Sequence, residues 1–313
     1  MRLRHQLRSL TRAPKQEPQN KSPKSLIAVR IATWNVNSIK QRTDAAVAWL
    51  AERKPDIVCL QETKCVDDGF PREPFEALGY NLALHGQKTF NGVALLSKFP
   101  FDEVSNGLPG DDEDDHARFI EAMISTAQGA LRIASIYLPN GNPPNTDKYA
   151  YKIGWMKRLS AYVRERLKLE EPLIVAGDYN VIPDAADARN PHAWTGDALF
   201  LPRTRREFRA LINLGLTDAL RATTDGPGLY TFWDYQAGAW QKNNGIRIDH
   251  VLLSPAAADR LTDVGIDRHV RAWEKPSDHV PVWLDLAIEP SQKISTGEVR
   301  QRAPAASETG RLL

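Results

Sequence analysis

Cysteine is nearly missing from this chain: Cys59 and Cys65 are the two thiols in 313 residues. They make no disulfide framework and are too few for a cysteine-rich zinc site, and such usage fits a reducing compartment. No apolar run reaches the roughly 18 residues of a membrane span. No long apolar segment follows the N-terminal charges, which argues against secretion. The 19 Gly and 21 Pro show no triplet period, so the chain is not collagen-like. No internal repeat is seen. Charge of one sign is lacking too, with 41 Lys/Arg against 39 Asp/Glu. What remains is an ordinary globular composition, 42 % hydrophobic and 26 % charged, at a length suited to one or two domains.

The balance is uneven along the chain. Residues 1–25 hold seven Lys/Arg and one acid, and residues 288–313 hold four and three. The segment between has 30 basic and 35 acidic residues, a balance of −5. Any basic footprint for nucleic acid must therefore be a local patch, and a carboxylate-rich metal site would reconcile the two. Residues 1–25 read as a disordered basic arm with nonspecific attraction for phosphate. Arg2, Arg4, Arg8 and Arg12 interleaved with Leu3, Leu7 and Leu10 also suit a mitochondrial transit peptide, which stays open as the alternative. The expected organisation is the arm, one domain over 26–287, and a disordered tail over 288–313.

Periodicity predicts strands at Ile27–Trp34, Asp56–Leu60, Tyr80–Leu84, Gly92–Ser97, Phe119–Thr126, Leu131–Leu138, Leu173–Ala176, Ile248–Ser254 and Val280–Leu286. A hairpin turn is expected at Gln128-Gly129. Helices are expected from a Ser38 cap to about Lys54, over Asp147–Leu169, and over Thr204–Leu214 with Gly215 just past its end. Strand pairs with intervening helices suggest a mixed α+β or layered α/β architecture.

Polar residues gather abruptly at strand ends: Trp34-Asn35-Val36-Asn37, Leu60-Gln61-Glu62-Thr63, Gly177-Asp178-Tyr179-Asn180, Arg247-Ile248-Asp249-His250 and Ser277-Asp278-His279. Loops at strand ends carry function on a rigid frame. Glu62, Asp178, Asp249 and Asp278 are hard oxygen donors, and Asn35 and Asn180 add amide oxygens. Such a set suits magnesium or manganese rather than zinc. His279 can serve a phosphate oxygen or a proton transfer, with Asp249 fixing its tautomer. Metal, oriented His–Asp pair and water-aligning acid are the parts of phosphodiester hydrolysis. Each motif alone is weak; their joint occurrence, in order and after strands, is the signal.

These runs, with His85-Gly86-Gln87-Lys88, Gly92-Val93-Ala94-Leu95-Leu96, Pro109-Gly110-Asp111-Asp112-Glu113, Tyr137-Leu138-Pro139-Asn140-Gly141, Gly245-Ile246-Arg247-Ile248-Asp249 and Glu274-Lys275-Pro276-Ser277-Asp278-His279, closely resemble the exonuclease III family of abasic-site endonucleases. That family belongs to the endonuclease/exonuclease/phosphatase superfamily. The resemblance runs from about Arg30 to Leu286. It implies a four-layer αββα sandwich, with two packed mixed β-sheets flanked by helices. It further implies a magnesium-dependent DNA-repair phosphodiesterase, with manganese as the other ion. The enzyme would cut duplex DNA 5′ to abasic sites, leave a 3′-hydroxyl, and trim blocked 3′ ends as exonuclease and 3′-phosphodiesterase.

Residue by residue, the resemblance gives metal-site positions to Asn35, Glu62, Asp178, Asn180, Asp278 and His279. Catalytic positions fall to Tyr137, Asp178, Asn180, Asp249 and His279. Arg118 and Asn140 match phosphate contacts; several bacterial members carry Gln where Asn140 stands. The expected enzyme is a monomer in the bacterial cytoplasm, on the nucleoid by function and on no membrane.

Phe232, Trp233, Trp240 and Asn244 form an aromatic and amide loop able to wedge a duplex and hold an extruded sugar, against the reading that Phe232 or Trp233 is core. Lys148 and Lys152 face either phosphates or solvent. Cys59 reads as core. Two other functions fit the superfamily: a phosphoinositide or sphingomyelin hydrolase, and a catalytically silent nucleic-acid binder. The Gly-Ile-Arg-Ile-Asp run and the 232–244 loop oppose the first, and the complete polar set opposes the second.

Overall fold

Successive side chains of a strand point to opposite faces, so a strand with an apolar residue at every position must be covered on both sides. The computed structural model, which describes residues 28–126 and 129–288, meets that demand with two packed sheets and outer helices. The basic arm, Gln128 of the expected turn and nearly all of the expected tail lie outside the described residues. Ile288, the first residue assigned to the tail, is buried in the core.

Twelve strands are described: β1 (Ala28–Asn35), β2 (Ile57–Gln61), β3 (Asn81–His85), β4 (Val93–Ser97), β5 (Glu103–Asn106), β6 (Phe119–Thr126), β7 (Gly129–Tyr137), β8 (Leu173–Asp178), β9 (Thr217–Asp218), β10 (Asp249–Leu253), β11 (Leu261–Ile266) and β12 (Val282–Ala287). One sheet has the order β11-β12-β1-β2-β4-β3, the other β5-β6-β7-β8-β10-β9. Each sheet has one parallel pair, β1 with β2 and β7 with β8. Parallel neighbours need a crossover, and here each crossover is a helix: α1 (Ile39–Arg53) and, after the short α2 (Arg72–Ala77), α3 (Asp147–Leu167). A further helix, α4 (Pro202–Ile212), packs beside α3.

Val29, Ile31, Ile57, Cys59, Ile133, Ile174, Ala176 and Val251 fill the space between the sheets. The alternate residues face outward. Ala32, Trp34, Val58 and Leu60 meet Ile39, Ala46, Trp49 and Leu50 of α1. Ala134, Ile136 and Val175 meet Ile153, Met156, Leu159 and Val163 of α3. Full burial of each such large side chain is worth about 1.5–3 kcal/mol, which holds the four layers together.

Two expected helix signals act differently. Ser38 makes no side-chain cap: its φ is +87°, and its N–H donates to the Glu62 oxygen at 2.7 Å. The N–H of Ile39 donates to the Thr63 oxygen at 3.2 Å, so the strand-end loop itself satisfies the open helix terminus. Gly215 follows α4 by three residues, with φ +117°. The sequence pattern gave no sign of β5, β9 and β11, which lie at or beside sheet edges with little continuous apolar character.

Candidate active site

The inward-facing parity that buries Val29 and Ile31 continues along β1 to Thr33 and Asn35. In β2 it continues from Ile57 and Cys59 to Gln61, in β7 from Leu131 and Ile133 to Ser135 and Tyr137, and in β8 from Ile174 and Ala176 to Asp178. On antiparallel β10 it leads back from Val251 to Asp249. The layer between the sheets is thus apolar at one end and polar at the other. A buried network lines the transition. Gln61 Nε2 donates to Thr33 Oγ1 and Ser135 Oγ, each at 3.0 Å, and Ser135 Oγ donates to the Leu60 oxygen at 3.1 Å.

Beyond that network a cavity of about 360 Å³ opens, lined by Glu62, Tyr137, Asn140, Asp178, Asn180, Phe232, Asp278 and His279 among others. Ligand atoms of Glu62, Asp178 and His279 all lie within 4.8 Å of one another. Glu62 follows β2 at φ +52°, and Asn180 follows β8 at φ +48°. Left-handed backbone at a non-glycine residue is disfavoured, and here it turns the chain sharply off each strand at the cavity. Gly177 permits the close approach of β7 to β8: a Cβ there would lie 2.0 Å from the Ile136 oxygen.

The carboxylates differ in environment. Glu62 accepts from Lys64 Nζ at 2.7 Å and from Asn35 Nδ2 at 2.8 Å. Burial pushes its acidity down, but Lys64, Asn35 and His279 outweigh this and hold its pKa below the ordinary glutamate value. Asp178 is pushed up to about 7 by burial and by the Asp249 and Glu62 charges, against the opposing pull of His279. His279 Nδ1 lies 2.9 Å from Asp249 Oδ2, and its Nε2 lies 3.8 Å from Asp178 Oδ2. Burial favours the neutral ring, but Asp249 and Asp178 reverse this and raise His279 to about 10. Tyr137 is raised well above the ordinary phenol by burial, Glu62 and Asp178.

The loop before β12 is tied into the same place. Ser277 Oγ donates to the Asn35 oxygen at 2.8 Å, and the His279 N–H donates to Ser277 Oγ at 3.2 Å. Phe232 packs edge-on against the His279 ring at 4.9 Å. Asn140 Nδ2 donates to Asn180 Oδ1 at 3.1 Å. Arg118 donates to the Tyr137 oxygen at 3.2 Å and lies 4.7 Å from that ring, beside Glu62 in an adjoining cavity.

The other expected site residues meet the following partners. The Asn35 amide oxygen accepts the Asn37 N–H at 3.0 Å, so its nitrogen, not its oxygen, faces Glu62 and Asp178. The Asn180 oxygen is likewise engaged, by Asn140. Asp278 lines the cavity, but Asn37 Nδ2 donates to it at 3.0 Å, and it stands outside the cluster of Glu62, Asp178 and His279.

Trp233 is fully buried, packed 5.0 Å from Trp240, with Nε1 donating to Asn243 Oδ1. It is core, because the loop needs an apolar base. Trp240 is half-buried in that base and Asn244 is exposed; neither lines the cavity. Lys152 is buried and meets main-chain oxygens, not phosphates. Arg247 of the Gly-Ile-Arg-Ile-Asp run is also buried, paired with Asp187 at 2.7 Å and Asp218 at 2.6 Å, and so sets the start of β10.

Sequence reasoning missed Asn37, which links Lys64, Asp278 and Tyr235. It also missed Thr33, Gln61 and Ser135. Their signal was available: a polar residue at inward parity in an apolar strand.

The chain matches the model of the Endonuclease/Exonuclease/phosphatase family over residues 32–279. It is 34 % identical over 266 residues to exodeoxyribonuclease III of Haemophilus influenzae, covering 82 % of this chain and all of that one. Its fold is similar to an AP endonuclease from Archaeoglobus fulgidus, with TM-score 0.78, 36 % identity, and coverage of 82 % and 99 % of the two chains. A 3′ phosphatase from Neisseria bound to a product DNA hairpin is similar at TM-score 0.79 and 37 % identity, with coverage of 83 % and 99 %. The strand-end cluster lies within the matched residues 32–279, and the chain belongs to the endonuclease/exonuclease/phosphatase family.

Proposed function

We propose that this DNA-repair nuclease hydrolyses the phosphodiester 5′ to an abasic site in duplex DNA, leaving a 3′-hydroxyl, and also trims blocked 3′ ends. One observation carries the reading: Glu62, Asp178 and His279 converge within 4.8 Å in a cavity at the carboxyl ends of two parallel strand pairs. Glu62 and Asp178 offer hard oxygens, which fit magnesium, with manganese as the alternative. A bound divalent cation supplies charge to the scissile phosphate and its leaving oxygen.

The protein's own groups divide the remaining work. His279, held as imidazolium by Asp249, donates a hydrogen bond to a non-bridging phosphate oxygen. Asp178, with a pKa near neutrality, takes the proton of the attacking water. Asn140 and Arg118 bind phosphate oxygens at the mouth, and the Tyr137 hydroxyl stays protonated as a donor. Phe232 walls the side of the cavity that receives the sugar. The protein acts as a monomer in the bacterial cytoplasm, with a catalytic domain that extends to the buried Ile288. No described helix is long and apolar enough to cross a membrane.

The test is a duplex carrying one tetrahydrofuran abasic analogue, incubated with magnesium or with EDTA, alongside a recessed 3′ end. Nicking 5′ to the analogue with magnesium and none with EDTA is expected. Binding without cleavage, or lipid phosphodiester hydrolysis without nicking, overturns the reading.

A further inference from the structure

Lys152 stands in the second turn of α3, where a solvent-facing cation would be unremarked, yet it has no exposed surface. Its Nζ donates to the main-chain oxygen of Asn140 at 2.9 Å and to that of Asn180 at 2.6 Å. Asp178 and Asp197 act on it only through space. The Asn140–Gly141 loop is closed tightly around its alkyl stem: at Gly141, φ +85°, a Cβ would lie 2.6 Å from Lys152 Cδ. An ammonium withdrawn from water without a carboxylate against it is costly. That cost calls for a reason to place a lysine here.

The two carbonyls it joins give one. They belong to the residues whose amides meet at the cavity, Asn140 Nδ2 donating to Asn180 Oδ1 at 3.1 Å. Asn180 in turn holds Asp178: its N–H donates to Oδ1 at 2.8 Å and its Nδ2 approaches Oδ2 at 3.3 Å. The loop after β7 and the loop after β8 have no other side chain that bonds to the main-chain oxygens of both amide residues among the described residues. A movement of either loop moves a donor on the phosphate or a donor on Asp178.

We propose that Lys152 is a positioning residue for phosphodiester hydrolysis, its buried ammonium clamping the main chain of Asn140 and Asn180 so that both amides hold their places beside Asp178. This rests on the function proposed above. A misplacement of about 1 Å at such a site costs on the order of 10²-fold in rate. Lys152→Met is therefore expected to lower kcat on the abasic duplex by about 10–10²-fold. KM for DNA, the magnesium midpoint and the salt slope should stay near the wild-type values, while Tm should fall modestly, because the buried Asn180 oxygen and that of Asn140 lose their donor. In an Asn140→Ala background the same substitution should cost clearly less, because half of what the clamp holds is already gone.

Wild-type kcat in Lys152→Met overturns the proposal. So does a raised KM with a shallower salt slope, which makes Lys152 a phosphate contact. Losses that multiply fully in the double variant reduce it to a packing role. If Lys152→Met does not fold, Lys152→Gln, which keeps a donor but cannot reach both oxygens, is read by the same measures. A wild-type protein inert on the abasic duplex overturns the functional reading itself, whereas an active wild type indifferent to Lys152 overturns only the clamp.

Discussion

The unit β1–α1–β2 delivers Asn35 and Glu62 to the cavity, and the unit β7–α3–β8 delivers Tyr137 and Asp178. The two units have the same construction, and each places a carboxylate at the end of its second strand. Their surroundings separate them. Glu62 has Lys64 against it and stays ionised, while Asp178 lies sealed among Asp249 and Glu62 and keeps its proton to near neutrality. Carboxylates whose environments drive their acidities apart take different tasks, which in the function proposed above are a standing negative charge for a cation and a group poised to accept a proton.

The largest effect expected from breaking the contrast is on the proton-handling side. Asp178→Asn, His279→Ala and Asp249→Ala should each lower the cleavage rate by about 10²–10⁴-fold. Asp249 acts through His279 at 2.9 Å, so the His279/Asp249 double variant should lose little more than either single one. Single-turnover rates decide this; a fully multiplicative loss contradicts the pairing.

On the other side, Glu62→Ala should cost on the order of 10²-fold at limiting magnesium, since several kcal/mol of charge stabilisation depend on the cation. Unlike the Asp178 variant, it should regain part of its rate as magnesium is raised. A magnesium titration of both variants checks the difference, and an Asp178→Asn rate rescued as fully as the Glu62→Ala rate removes it.

The contrast also predicts a stability change. The folded pKa of Asp178 is raised from about 4 to about 7, so its contribution favours the metal-free fold at low pH and is lost as pH rises through about 7. Asparagine does not titrate. In chelator, the Tm of Asp178→Asn should therefore gain on wild type by a few degrees between pH 5 and pH 8. Magnesium, by offsetting the crowded charges, should narrow that gap. Equal Tm differences at both pH values contradict the raised pKa.

A smaller contrast lies within one dipeptide. Phe232→Ala opens the cavity wall beside His279 and should reduce cleavage with little loss of Tm. Trp233→Ala empties a fully buried site and should destabilise by about 3–5 kcal/mol. Chemical denaturation and kinetics on the two variants separate wall from core.

Most of this frame was legible in the sequence, because apolar alternation and strand-end polar runs are local patterns. β1, β2, β3, β4, β6, β7, β8, β10 and β12 were placed to within a few residues, as were α1, α3 and α4. The edge strands β5, β9 and β11 were lost; β11, with Thr262 and Asp263 exposed, has no buried face to leave a pattern. The strand-end carboxylates were visible as residue types, but their protonation was not. Lys64 beside Glu62 is a local fact, whereas the crowding of Asp178 by Asp249 and Glu62 arises only when the two sheets pack. Lys152 misled for the same reason: nothing local marks a cation whose partners are main-chain oxygens.

The contrast between the two carboxylates is tested most directly by a ¹³C-carboxyl NMR titration of the metal-free protein, with resonances assigned by their loss in Glu62→Gln and Asp178→Asn. The resonance missing from Asp178→Asn should titrate near pH 7. The one missing from Glu62→Gln should titrate below the ordinary glutamate value of 4.5. Two resonances that titrate together in the ordinary carboxylate range would contradict the account.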